Sequence, residues 1–125
     1  MKIFKEMSET EQEIMEVLWG AESAKTLNEL LDHFAAAKGK AWKPQTLATF
    51  MSRLVDKELV LWEQRGRARY YSPAMTKAEY DAAKAKTLLD TLFSGSLQSF
   101  VAALYDGDAL TEQDIAEMKE WVESK

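Results

Sequence analysis

Cysteine is absent from this chain of 125 residues, and His33 is its single histidine. Together these absences exclude disulfides, thiolate metal ligands and cysteine nucleophiles, and they leave a conventional zinc site short of ligands. The five glycines form no phosphate-cradling loop, and no serine or threonine has an evident base and orienting partner. The paired acids Asp106 and Asp108 fall in a turn and read as loop solvation. An enzyme is therefore not expected. No run approaches the roughly 20 apolar residues of a membrane span. The start, "MKIFKEMSETEQ", turns acidic before an apolar stretch develops, which argues against a secretory signal. The expectation is a cytoplasmic protein with no cofactor, no metal and no membrane insertion.

What is present is enough apolar content, 46%, for a core. The formal charge of -5 hides three regions. Residues 1–37 hold three lysines against eight acids, and 73–125 hold five lysines against ten acids. Between them, 38–72 hold eight cations against Asp56, Glu58 and Glu63. A basic segment between acidic ones is a footprint for a polyanion, or else a solvated surface with uneven charge.

Ser8 with Glu11, and Thr26 with Glu29, have the spacing of capping boxes and open two amphipathic helices. Pro44 suits the first position of a third, running over about 44–57. At 100° per residue Leu47, Phe50, Met51, Leu54 and Val55 gather on one side, and Gln45, Thr46, Thr49, Ser52 and Arg53 on the other. The polar side lacks the Glu/Lys mixture of a solvated helix. Its residue types read base edges: Gln and Thr donate and accept, and Arg pairs bidentately with guanine.

"LVLWEQ" and "ARYYS" then have strand composition, with Gly66 as the turn residue. Three helices and a hairpin in this order make a winged helix-turn-helix. The fold expected is mainly α with a small β-hairpin wing. Arg65, Arg67 and Arg69 crowd the tip of the wing, where cations displace counterions from phosphates. Edge protection of an ordinary hairpin is the plainer reading of the same arginines. A winged helix can also serve as a protein-interaction module without specific DNA binding. That use would not need a polar reading face with Arg53.

The last third reads as three short amphipathic helices: Tyr80, Leu88 and Leu92 on the first, Phe100 and Leu104 on the second, Trp121 on the third. Their stripes need either the N-terminal domain or the same helices of a second chain, and a homodimer suits DNA reading. The domains expected are a winged helix over 1–73 and a helical dimerisation domain over 74–125.

"SETEQEIMEVLWG", "WKPQTLATFMSRLVDKELV", "GRARYYSP", "LFSGSLQSFVAAL" and "LTEQDIAEMKEWV", in this order, resemble the penicillinase-repressor family, the BlaI/MecI/CopY type of winged-helix repressors. The resemblance implies a homodimer that blocks transcription on a palindromic double-stranded DNA operator. It places helix contacts at Lys43, Gln45, Thr46, Thr49 and Arg53, and wing contacts at Arg65, Gly66, Arg67 and Arg69. Copper-responsive members end in a cysteine-rich metal motif that this chain lacks. Penicillinase-type members are inactivated when a membrane sensor triggers a protease cut in the dimerisation region. The corresponding bond here is Ala103–Leu104, with alanine where those members carry asparagine.

Overall fold

The same capping chemistry opens four helices. Ser8, Thr26, Thr76 and Thr111 each accept, through the side-chain oxygen, from the backbone N–H three residues on. The acid at that position, Glu11, Glu29, Glu79 or Asp114, accepts in return from the capping residue's own N–H. Each box satisfies two N–H groups that a helix start otherwise leaves unpaired.

The computed structural model describes residues 6–125; the N-terminal stretch that argues against a leader lies partly outside them. The elements are α1 (Glu9–Gly20), β1 (Lys25–Thr26), α2 (Leu27–Lys38), α3 (Pro44–Asp56), β2 (Val60–Arg65), β3 (Ala68–Pro73), α4 (Lys77–Phe93), α5 (Leu97–Asp106) and α6 (Glu112–Glu123). The sheet is antiparallel with order β1-β3-β2, Lys25 lying opposite Tyr71 and Trp62 opposite Tyr71 from the other side. The hairpin expected from sequence is thus part of a three-stranded sheet. The third strand has two residues, too few to leave an alternating pattern.

Ile14, Met15 and Leu18 of α1 meet Leu30 and Phe34 of α2, Leu47, Met51 and Leu54 of α3, and Leu59, Val60 and Tyr71 of the sheet region, all buried. The compact unit does not stop at 73. It continues to Asp81, and a second unit comprises Ala82–Lys125. Met75 and Tyr80 belong to the first core. The Trp19 indole N–H donates to the Met75 carbonyl at 2.9 Å, and the Trp19 ring lies 5.7 Å from the ring of Tyr80. The sequence reading puts Tyr80 at a dimer interface; at 3% exposure its side chain is instead part of the core of the first unit. Burial pushes its hydroxyl pKa up, with the acids Glu6, Asp81 and Glu11 adding to the shift.

In the second unit, Phe93 and Phe100 meet edge to face at 5.1 Å. Among the described residues of α5 and α6 no side chain is buried.

Candidate nucleic-acid interface

Helix α3 has the two faces its periodicity predicts. Leu47, Met51 and Leu54 are buried, Phe50 and Val55 pack partly against the core, and Gln45, Thr46, Thr49, Ser52 and Arg53 are exposed. Its start is fixed by Trp42, whose ring lies 4.7 Å from Phe34 and 5.9 Å from Phe50, joining α2 to α3 across their connecting turn. Lys43 occupies the N-cap without a side-chain cap hydrogen bond, and Pro44 follows in the first turn.

The far end closes in a Schellman motif. Leu59 N–H donates to Leu54 O and Glu58 N–H to Val55 O, at 3.0 and 2.9 Å. Glu58 takes the left-handed position, φ 62°, where glycine is usual. Lys57, the C-cap residue, reaches back to Glu11.

Within the polar face the side chains differ in availability. Thr49 donates its hydroxyl to the Gln45 carbonyl at 3.0 Å, which leaves its oxygen lone pairs and methyl for a ligand. The Arg53 guanidinium lies 5.7 Å from the Phe50 ring. Lys43, Gln45 and Thr46 are exposed at the helix start.

The wing turns at Gly66 and Arg67, with Arg65 paired to Ala68. Gly66 has φ 64° at the first central position, where a side chain would strain the turn. The three arginines are not equivalent. Arg65 contacts Glu63 at 3.3 Å and sits over the Tyr70 ring at 4.7 Å. Arg69 sits over the Trp62 ring at 4.1 Å. Arg67, at the tip, has no partner among the described residues. Gln64 stiffens the turn by donating to the Gly66 carbonyl at 3.0 Å. Lys40 is also committed internally, to Glu13 at 2.7 Å. The structure therefore presents the polar face of α3, Lys43 and Arg67 with the fewest internal ties.

Sequence reasoning missed the two aromatic partners in the wing. Trp62 with Arg69, and Tyr70 with Arg65, are diagonal cross-strand neighbours. Their pairing is visible only once the register is known.

In the second unit Leu88, Leu92 and Trp121 are exposed, whereas Phe100 and Leu104 are half-buried. The Ala103–Leu104 bond lies inside α5. The Ala103 carbonyl accepts from Gly107 N–H at 3.1 Å and that of Leu104 from Ala109 N–H at 2.9 Å.

A helix with a buried apolar face and an exposed hydrogen-bonding face, flanked by a two-stranded wing with a cation at its tip, defines a winged helix-turn-helix DNA-binding protein. The model of the penicillinase repressor family matches residues 7–124. The chain belongs to that family, whose members are transcriptional repressors and not enzymes. It is 29% identical to a penicillinase repressor of Bacillus licheniformis, over 98% of this chain and 94% of that protein. With a penicillinase repressor of Staphylococcus aureus the identity is 26%, over 92% and 89%. The solution structure of the DNA-binding domain of the repressor BlaI superimposes with TM-score 0.54 at 30% identity, covering 64% of this chain and 94% of that one. Monomeric Bacillus licheniformis BlaI in complex with the blaP half-operator superimposes with TM-score 0.51 at 29% identity, over the same shares.

Proposed function

We propose that this repressor acts in the cytoplasm as a homodimer on a palindromic duplex operator, with α3 in the major groove and the tip of the wing on the phosphate backbone. The observation that carries the reading is the face of Gln45, Thr46, Thr49, Ser52 and Arg53, exposed opposite the face that packs into the core and placed in the basic segment of an acidic chain. Base contacts from this face would specify sequence. Lys43 and the tip of the wing, at Gly66 and Arg67, would position the protein on the backbone. A relative, BlaI, has been solved in complex with a half-operator, which supports the duplex as partner.

The homodimer is supported by the exposed Leu88, Leu92 and Trp121 of a unit that buries little of its own apolar surface. Among the described residues no helix is long and apolar enough to cross a membrane. A second copy of the same unit suits that surface. Induction by a sensor-triggered protease at Ala103–Leu104 completes the reading. Because both carbonyls are held in the hydrogen bonds that close the end of α5, that end must open before a protease can grip the segment as an extended strand.

Enrichment of duplexes from a random-sequence pool by the full-length protein tests the central claim. The expected consensus has two inverted half-sites about 10 bp, or a multiple of that, from centre to centre. A single asymmetric half-site would remove the dimer, and no enrichment would favour the protein-interaction module.

A further inference from the structure

The register of the wing separates its arginines into different surroundings. Val60, Trp62, Gln64, Arg69, Tyr71 and Pro73 share one face of the hairpin, since directly opposed residues point the same way. That face begins in the core with Val60 and Tyr71, both buried, and ends in solvent with Arg69. The Trp62–Arg69 pair lies between that buried base and the tip, where Gln64 faces Arg69. It borders a small notch whose other wall is Ser52, Val55 and Asp56 of α3. The pair thus stands beside the reading helix, at the place where the wing leaves the body of the domain.

A guanidinium 4.1 Å from an indole centroid is in cation–π contact, so the ring covers one side of it. Trp62 is in turn backed across the ladder by buried Tyr71. Arg67 has none of these ties. We infer that Arg69 and Trp62 form a positioning pair that sets the distance between the wing and α3, and so sharpens sequence discrimination, while Arg67 supplies the phosphate contact of the wing.

This inference rests on the DNA-reading role proposed above. The physical reason is geometric. Cognate binding requires α3 to keep its base contacts while the wing meets a backbone at fixed spacing. Binding to random sequence needs only phosphates, and the protein can shift to meet them. A loosened wing therefore costs cognate DNA more than random DNA.

The test uses full-length protein, a duplex enriched by the wild type from a random pool, and a scrambled duplex of the same composition. Affinities are measured across a salt series for wild type, Arg67→Ala, Arg69→Ala, Arg69→Met, Trp62→Ala and the double variant Trp62→Ala with Arg69→Ala. Arg67→Ala should make the salt slope shallower by about 0.9 for each phosphate that is no longer neutralised. Arg69→Ala and Trp62→Ala should leave that slope unchanged and lower the enriched-to-scrambled affinity ratio on the order of threefold per half-site. The double variant should lose no more than either single variant, because the two residues act as one unit. Arg69→Met, uncharged but able to lie on the ring, should restore most of the ratio. A shallower slope for Arg69→Ala and Arg69→Met alike, or additive losses in the double variant, would show Arg69 to be a phosphate anchor and overturn the inference. A wild type that enriches no sequence would remove the DNA-reading role first, before any variant is compared.

Discussion

Lys57 closes on Glu11 at 2.8 Å, joining the first turn of α1 to the C-cap of α3. Glu11 is only 2% exposed. The oxygen that Lys57 contacts also accepts from Ser8 N–H at 2.8 Å, while the other oxygen is buried without a partner. Burial disfavours the carboxylate, but the hydrogen bond from Lys57 and those of Ser8 outweigh it, and the Glu11 pKa lies below its ordinary value. Lys57 thus links the start of α1 to the end of α3, two helices of one core.

From this pair follows a pH dependence. The folded pKa of Glu11 is depressed, so its contribution to stability is fully present above the unfolded value near 4.5. It is lost as the pH falls through the folded value. Acid titration of unfolding should show a steeper loss in that window for wild type than for Glu11→Gln. Lys57→Met should cost about 1–3 kcal/mol near neutral pH, because it strips a buried charge of its main partner. Adding Glu11→Leu to Lys57→Met should recover much of that loss, since no charge then remains to be solvated. Denaturant unfolding across pH measures all three.

Base reading should divide along α3 according to what each side chain already bonds. Thr46→Ala and Arg53→Ala should lower binding to an enriched duplex by about 1–3 kcal/mol for each base that is no longer read, and binding to scrambled duplex much less. Thr49→Ala should cost less than Thr46→Ala, because the Thr49 proton is already donated to the Gln45 carbonyl. Equal losses on both duplexes for all three variants would mean that this face reads no bases.

Much of this architecture is legible from periodicity and capping. The two faces of α3 follow from 3.6-residue spacing alone, and the Ser8, Thr26 and Thr111 boxes mark real helix starts. Periodicity names an apolar face, however, and not the partner that covers it. Tyr80 lies on the same helix as Leu88 and Leu92, yet it belongs to the first core while they are exposed. Likewise the charge of Arg65 and Arg69 is visible in the sequence, but their ties to Tyr70 and Trp62 depend on strand register. Nothing in "DKEL" marks a left-handed residue, because the usual glycine is missing from it.

That missing glycine makes a stability prediction. Glu58 adopts φ 62° at the end of α3, a conformation disfavoured by an L side chain. Glu58→Gly should stabilise the first unit by about 1 kcal/mol. For a unit of this size that corresponds to a rise in Tm of roughly 4–8 °C. Because Glu58 lies beyond the polar face of α3, affinity for enriched duplex should stay unchanged. A lowered Tm would mean that glycine's freedom in the unfolded chain outweighs the relief of strain.

The position of Tyr80 decides where the chain can be cut. A fragment ending at 73 loses Met75 and Tyr80, and with them the carbonyl that holds the Trp19 indole and the ring beside it. It should be less stable than a fragment ending at 81 by about 3–5 kcal/mol, the scale of removing one large buried side chain. The fragment ending at 81 keeps the whole first core and should fold as a monomer. Sedimentation velocity beside a duplex titration then separates two questions. If Leu88, Leu92 and Trp121 close the dimer, full-length protein should sediment as a dimer at micromolar concentration. The 1–81 fragment should bind an enriched palindrome far more weakly, because its second half-site is no longer tethered to the first. Substituting Trp121→Glu and Leu92→Glu in the full chain should reproduce that loss without altering the melt of the first unit. A full-length monomer, or a fragment that binds as tightly as the whole chain, would leave those exposed side chains without the partner assigned to them.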